Sequence, residues 1–428
     1  MQNGNALTRK LRANAFREKL ARLYCCGEDE TGIYAERFIG LINIYSERFG
    51  DGEGMGLFSS PGRTEIGGNH TDHQRGCVIA GSVNLDIAAA AAPNGINAVR
   101  MISDGQPMET VNLSDLRPNP DEFFQTSALI RGIAAGFARE GHRVGGFDIV
   151  AASSVLKGSG LSSSAAFEVL IANVLNSLNC DDEVPPVELA RFGQYSENTF
   201  YGKPCGLMDQ LSSAVGGVLF IDFFNLASPL VEKMDFNLAA HGYALCIIDS
   251  GAHHADLSGA YASIPGEMGR VAAFFGKNQL RDVDHVEFMN NFAEARKAAG
   301  DRAMLRALHF FHDNRRAIEE SRALKNGDFE TFLKLVRESG LSSSIHLQNI
   351  HLPGADREQA VDVALALCAE SLGGRGACRV HGGGFAGTIQ AFVPIDMLDS
   401  FMPEIDATLG KGSCHVLSIR LDGGARLA

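Results

Sequence analysis

Apolar residues recur along this chain in two distinct rhythms. Positions 217–222 (Gly-Val-Leu-Phe-Ile-Asp) and 244–249 (Ala-Leu-Cys-Ile-Ile-Asp) are short apolar runs closed by an acid, and they read as buried strands. Over 165–178 the pattern changes. Ala166, Val169, Leu170, Val174 and Leu178 return every three or four positions, which predicts a helix with one buried face. A second helix is predicted over 187–200, opened by Pro185 and Pro186 and closed by Gly202. Positions 315–325 and 329–339 predict a helical pair, and 388–394 predicts a strand. Strands alternating with helices place the chain in the α+β or α/β class, with a boundary expected near 224–229.

The first 24 residues carry six Lys/Arg against one acid, Glu18. An organelle transit peptide has this character. Leu7, Leu11, Leu20 and Leu23 fall on one side, however, and the expectation is an amphipathic surface helix.

Composition narrows the function. The 428 residues are 45% hydrophobic and 21% charged, enough to bury a large core in two or three domains. A net charge of -13 without a basic run weighs against nucleic acid or an anionic membrane as partner. The apolar stretch at 87–92 ends at Pro93, far short of a membrane span. Nine cysteines without a CxxC pair read as reduced thiols of a cytoplasmic protein.

Much of the glycine lies in three clusters, at 62–76, 158–160 and 382–387. Glycine lets backbone approach a ligand closely, so three clusters spread over the chain suggest one site assembled from distant segments. In Lys157-Gly158-Ser159-Gly160-Leu161-Ser162-Ser163-Ser164 two glycines permit a tight turn, and the serines are expected to cap the helix that follows. The free N–H groups of that first turn would receive phosphate. A serine-rich cap without a ligand is the bland alternative.

Other phosphate-binding and metal-binding patterns fail. No GxxxxGK[ST] occurs. Gly382-x-Gly384-x-x-Gly387 matches GxGxxG, but a strand is predicted after it where a dinucleotide fold requires a helix. An HxHxDH metal pattern would need histidine at position 68, which is Gly68. The 61–73 segment instead mixes Arg63, Glu65, Asn69, His70, Asp72 and His73 with glycine, a set suited to binding several hydroxyls. Glu197 and Asp209 flank a third polar stretch. One could hold Mg²⁺ and the other accept a proton, against the bland reading of two exposed acids.

Taken in order, these segments resemble the GHMP kinases, and the galactokinase family most closely. Gly62-Arg63-Thr64-Glu65-Ile66-Gly67-Gly68-Asn69-His70-Thr71-Asp72 is similar to GRxNxIGEHTD. The 160–165 stretch is similar to GLSSSA, Cys205-Gly206-Leu207-Met208-Asp209-Gln210 to CGxMDQ, and 382–387 to GGGFGG. The resemblance runs over roughly residues 35–425. It implies a two-domain GHMP kinase fold: an S5-like N-terminal domain over 1–225, a ferredoxin-like C-terminal domain over 226–428, and the site between them.

The resemblance also implies roles. Asp209 would be the catalytic base that takes the sugar proton, with Arg63 holding it ionised. Asn69, His70, Asp72, Gly206 and Tyr261 would contact the sugar. Lys157, Gly158, Ser159, Gly160, Leu161, Ser162, Ser163 and Ser164 would cradle ATP, with Ser164 and Glu197 on Mg²⁺. The implied function is an ATP-dependent 1-kinase of galactose, acting as a monomer. Departures bear on which sugar is used. Asn69 stands where the family has Glu, His73 where it has Tyr, Ala386 for Gly, Gly340 for His, and Leu156-Lys157 for Pro-Leu. An amide at 69 would accept a carboxylate at C6 that Glu would repel. A kinase for another sugar, a sugar-and-ATP sensor without activity, and a nicotinamide oxidoreductase are the competing readings.

Overall fold

The computed structural model describes residues 3–103, 105–156, 158–203, 205–252 and 257–428. Two sheets carry the fold. The first has eight strands: β1 (Gly56–Gly67), β2 (Cys77–Pro93), β3 (Ala98–Ser103), β4 (Glu109–Asn112), β5 (Phe147–Ser153), β6 (Val218–Asp222), β7 (Leu230–Met234) and β12 (Ala425–Arg426). The second is the antiparallel set β11 (Cys414–Leu417), β8 (Tyr243–Asp249), β10 (Thr388–Pro394) and β9 (Ala377–Val380), in that order.

β2 organises the first sheet. It pairs with β1 along one edge, and its other edge forks, with Cys77–Gly81 on β6 and Ile87–Pro93 on β5. Buried on nearly all its length, it reads as alanine, valine and isoleucine rather than as an alternating strand. β1 breaks register with it between Pro61 and Arg63 and again between Glu65 and Gly67. Such irregularities re-aim side chains, and these two bracket Arg63.

Residue 225 does not end the first sheet. β7 lies beyond it and pairs with β6, while the C-terminus returns so that β12 pairs with β1. Helices pack over both sheets, and the largest core cluster draws on both halves, from Phe58 and Ile79 to Phe332 and Phe392.

Several elements differ in extent from their sequence patterns. The N-terminal segment is two helices, Gly4–Arg12 and Arg17–Tyr24, with Leu7, Leu11, Leu20 and Leu23 buried against β1, β2 and the helix Gly32–Phe49. The single apolar stripe was real, but a turn at 13–16 folds it in two. The helix predicted from 315 begins at Asp301 and runs to Lys325, because His309 and Asp313 are buried polar residues that hide the period. The helix from Pro186 ends at Ser196 and continues as one wider turn, Glu197–Tyr201. Wide turns of this kind gather at functional sites. Among the described residues no helix is long and apolar enough to cross a membrane, and all nine cysteines are free thiols.

Candidate active site

Arg63, only 7% exposed, reaches from β1 to Asp209 in the first turn of the helix Met208–Val215. Nε donates to Oδ1 at 2.8 Å and Nη2 to Oδ2 at 2.6 Å, a planar fork-to-fork pair. The third nitrogen of Arg63 donates to the Gly160 carbonyl, and its backbone N–H donates to the Leu161 carbonyl at 3.0 Å. Strand and phosphate loop are therefore stitched together at this residue. Gly62 makes the approach possible, since a Cβ there would sit 2.8 Å from the Leu161 oxygen.

Ser162 precedes the helix Ser163–Asn179 but does not cap it. Its backbone is left-handed (φ 55°), and its hydroxyl donates instead to Asp209 Oδ2 at 2.6 Å. The expected serine cap is thus corrected: the hydroxyl is spent on the acid, and the helix's first N–H groups are left for an anion. Ser163 and Ser164 form that first turn. The Ser159 carbonyl accepts from Thr388 Oγ1 at 2.7 Å, which pins the loop to β10. Gly158, Gly160 and Leu161 complete the loop, and Lys157 lies outside the described residues. Burial pushes the Asp209 carboxyl up, but the Arg63 guanidinium and the Ser162 hydroxyl outweigh it and hold it below the usual range. Asp209 is a carboxylate at neutral pH.

A second acidic group lies beside this pair. Glu197 is buried; its Oε1 takes Lys203 Nζ at 3.0 Å and its Oε2 takes Gln210 Nε2 at 3.1 Å. The same Gln210 nitrogen donates to Glu168 Oε2 at 2.9 Å. Glu168 is wholly buried, and burial with neighbouring Glu197 pushes its carboxyl well above the usual range. It stands one helical turn after Ser164. Glu168, Lys203 and Gln210 were not singled out from sequence; the adjacency of Gln210 to Asp209 and the four-residue spacing from Ser164 were the available signals.

Two of the expected sugar-contacting residues, His70 and Tyr261, reach the 382–387 loop. His70 Nε2 meets the Gly383 carbonyl at 3.0 Å, and Tyr261 donates its hydroxyl to the Gly384 carbonyl at 3.0 Å. Asp72 opens a short turn facing Gly206, where a Cβ would lie 2.7 Å from its Oδ2. Burial raises the Asp72 carboxyl.

Asn69 behaves differently from its sequence reading. It is 0% exposed, and its side chain is saturated. Nδ2 donates to Glu65 Oε1 and to the Gly382 carbonyl; Oδ1 accepts from Asn349 Nδ2 at 3.0 Å and Ser343 Oγ at 3.3 Å. A primary amide has two donors and two acceptor positions, and all four are used inside the protein. In this structure the whole amide is engaged by protein groups. The network continues through the buried Glu65–Arg379 ion pair and through His309 Nε2 on the Asn69 carbonyl at 2.9 Å. Sequence reasoning missed Arg379 and His309 because their partners lie more than two hundred positions away.

Residues 128–217 match the family model described as GHMP kinases N terminal domain, and residues 43–93 match the galactokinase galactose-binding signature. The first span holds the phosphate loop, Glu197 and Asp209; the second holds Arg63, Asn69, His70 and Asp72. A galactokinase of Actinobacillus pleuropneumoniae is 32% identical over 355 residues, covering 82% of this chain and 88% of that protein. The chain belongs to the galactokinase family. A galactokinase of Streptomyces coelicolor is 30% identical over 411 residues, 94% of this chain and 99% of its own. Among solved structures, Lactococcus lactis galactokinase complexed with galactose superposes with a TM-score of 0.78 at 23% identity, covering 91% of this chain and all of the other. The L. major mevalonate kinase in complex with R-mevalonate shares the fold at a TM-score of 0.58 and 12% identity, over 87% of this chain and 97% of its own. The fold is therefore the α+β GHMP kinase fold, and the protein is a kinase with ATP as phosphoryl donor and a sugar hydroxyl as acceptor.

Proposed function

We propose that this galactokinase-family chain transfers the γ-phosphoryl group of ATP to the anomeric hydroxyl of galactose, giving galactose 1-phosphate. The observation that carries this reading is the Asp209 carboxylate, gripped by Arg63 and by Ser162 of the phosphate loop. A proton acceptor and the loop that would present the phosphates are thereby held within one hydrogen bond of each other.

The chemistry follows from the parts. The uncapped N-terminus of the helix Ser163–Asn179 receives phosphate oxygens. The sugar hydroxyl lies against Asp209, which takes its proton as the new P–O bond forms and the bond to ADP breaks. Arg63 keeps Asp209 ionised and faces the charge on the transferring group. His70, Asp72, Gly206 and Tyr261 line the sugar side. Asn69 holds that wall in place rather than touching the sugar.

Mg²⁺ would supply charge neutralisation to the phosphate groups. Glu197 and Ser164 are the residues that would hold it. Glu197 fits, since its buried carboxylate already has a cation, Lys203 Nζ, at 3.0 Å. Among the described residues no group of three or more His, Cys, Asp or Glu is arranged to hold an ion alone. The ion would then take its remaining ligands from nucleotide and water, as Mg²⁺ commonly does. Nine free thiols suit a reducing cytoplasm, and a monomer is the proposed state.

The test is a panel of hexoses, pentoses, deoxysugars and uronic acids at fixed Mg-ATP. Galactose should give the highest kcat/KM, with phosphate found on the anomeric oxygen. A galactose rate no better than that of another sugar would overturn the assignment.

A further inference from the structure

The Lys203–Glu197 pair raises a question that the kinase reading does not absorb. A carboxylate assigned to the nucleotide's metal is already matched by an ammonium group at 3.0 Å. The two partners are unequally fixed. Glu197 is 3% exposed in its side chain and is anchored at its other oxygen by Gln210. Lys203 is 58% exposed, and its stem rises from a turn that begins at Gly202, in a left-handed conformation (φ 84°). Removing the lysine would leave Glu197 oriented; removing Glu197 would leave the lysine free to swing.

Arg63 and, more weakly, Lys203 help hold the Asp209 carboxyl down. Arg63 is committed: it spends Nε and Nη2 on Asp209 and Nη1 on Gly160. Lys203, by contrast, pairs with an acid whose other oxygen is held by Gln210, the neighbour of Asp209 in the chain. A phosphoryl group transferring to a hydroxyl at Asp209 carries negative charge on three oxygens.

We propose that Lys203 is a further catalytic residue of this chain: on nucleotide binding its ammonium leaves Glu197 and pairs with the transferring phosphoryl group. The lysine keeps its proton throughout. The P–O bond to ADP breaks, the bond to the sugar oxygen forms, and the sugar's proton goes to Asp209. Lys203 contributes charge and position only. In the empty site its ammonium rests on Glu197. This inference rests on the kinase reading above.

The experiment compares wild type with Lys203→Met and Lys203→Arg. Lys203→Met should lower kcat with galactose about 100-fold, the scale for losing one charge-stabilising donor. It should leave the KM for galactose within about twofold, weaken binding of a non-hydrolysable ATP analogue in calorimetry, and leave the thermal midpoint unchanged. Lys203→Arg should recover most of the rate, since it keeps the charge. A Lys203→Met enzyme with wild-type kcat and wild-type analogue affinity would overturn the proposal. So would a rate loss matched by a lowered thermal midpoint, which would make the lysine a structural counter-ion. Wild type inactive on every sugar would instead remove the kinase reading, and the analogue titration would still report on the lysine by itself.

Discussion

Ser162 donates its hydroxyl to Asp209 Oδ2 at 2.6 Å rather than to the helix it precedes. One serine thereby leaves a helix N-terminus open for phosphate and turns the acid toward it. Removing that hydroxyl should separate the two effects. Ser162→Ala should keep the fold, lower kcat about tenfold, and change the KM for ATP little, since backbone N–H groups bind the phosphates. Steady-state kinetics in both substrates would check this, and an unchanged kcat would show that Asp209 needs no such support.

Asp209→Asn removes the proton acceptor while keeping the shape of its Arg63 contact. The expected loss in kcat is about 10²–10⁴-fold, the range for a positioned acid–base group. Circular dichroism should show an unaltered fold. Arg63→Lys should also be poorly active, because a point charge cannot reproduce the planar two-bond grip.

Glu65 and Arg379 are buried partners from β1 and β9, 314 positions apart. Arg379→Met leaves Glu65 charged and unpaired inside the protein and should cost about 3–5 kcal/mol of stability. Glu65→Gln combined with Arg379→Met should recover much of that loss. Denaturant unfolding of the three variants would read it; equal midpoints would show that the pair holds nothing.

Asn69→Glu would place a second carboxylate beside Glu65 and against the Gly382 and Asn349 contacts. It should lower the unfolding midpoint by about 2 kcal/mol or more, with the ranking of sugars unaltered. A changed ranking in a stable variant would return position 69 to the sugar-reading set.

Acid should weaken this fold through its interior histidines. Burial holds His73 and His381 down at about 3 and His309 at about 4. An unfolded histidine binds a proton near 6.5. Between about pH 6.5 and 4 the unfolded chain therefore holds more protons than the native one, and stability falls as pH drops. Each such group contributes about 1.4 kcal/mol per pH unit in that window. His381→Gln should make the fall in denaturant midpoint shallower. A midpoint independent of pH from 7 to 4.5 would contradict these histidines being neutral.

Local signals were legible wherever the chemistry is carried by neighbours in the chain. Glycines at 158 and 160, serines at 162–164 and the strand after Gly387 could be read directly, because turn, helix start and strand are short-range preferences. Asn69 shows the limit. Its residue type and motif position suggested a sugar contact, but the four partners that use up its amide come from residues 65, 343, 349 and 382. Lys203 was passed over for the same reason: its meaning lies in Glu197 and Asp209, and a lone exposed lysine carries no pattern.

The sequence by itself determined the two periodicities and the three glycine loops, since each follows from backbone preferences acting over a few residues; the kind of kinase came through the resemblance of its motifs to a known family. Only the tertiary structure decided which polar side chains are consumed within the protein. Burial presses most donors and acceptors to find a partner, and many of those partners are supplied by segments that the linear order keeps hundreds of residues apart.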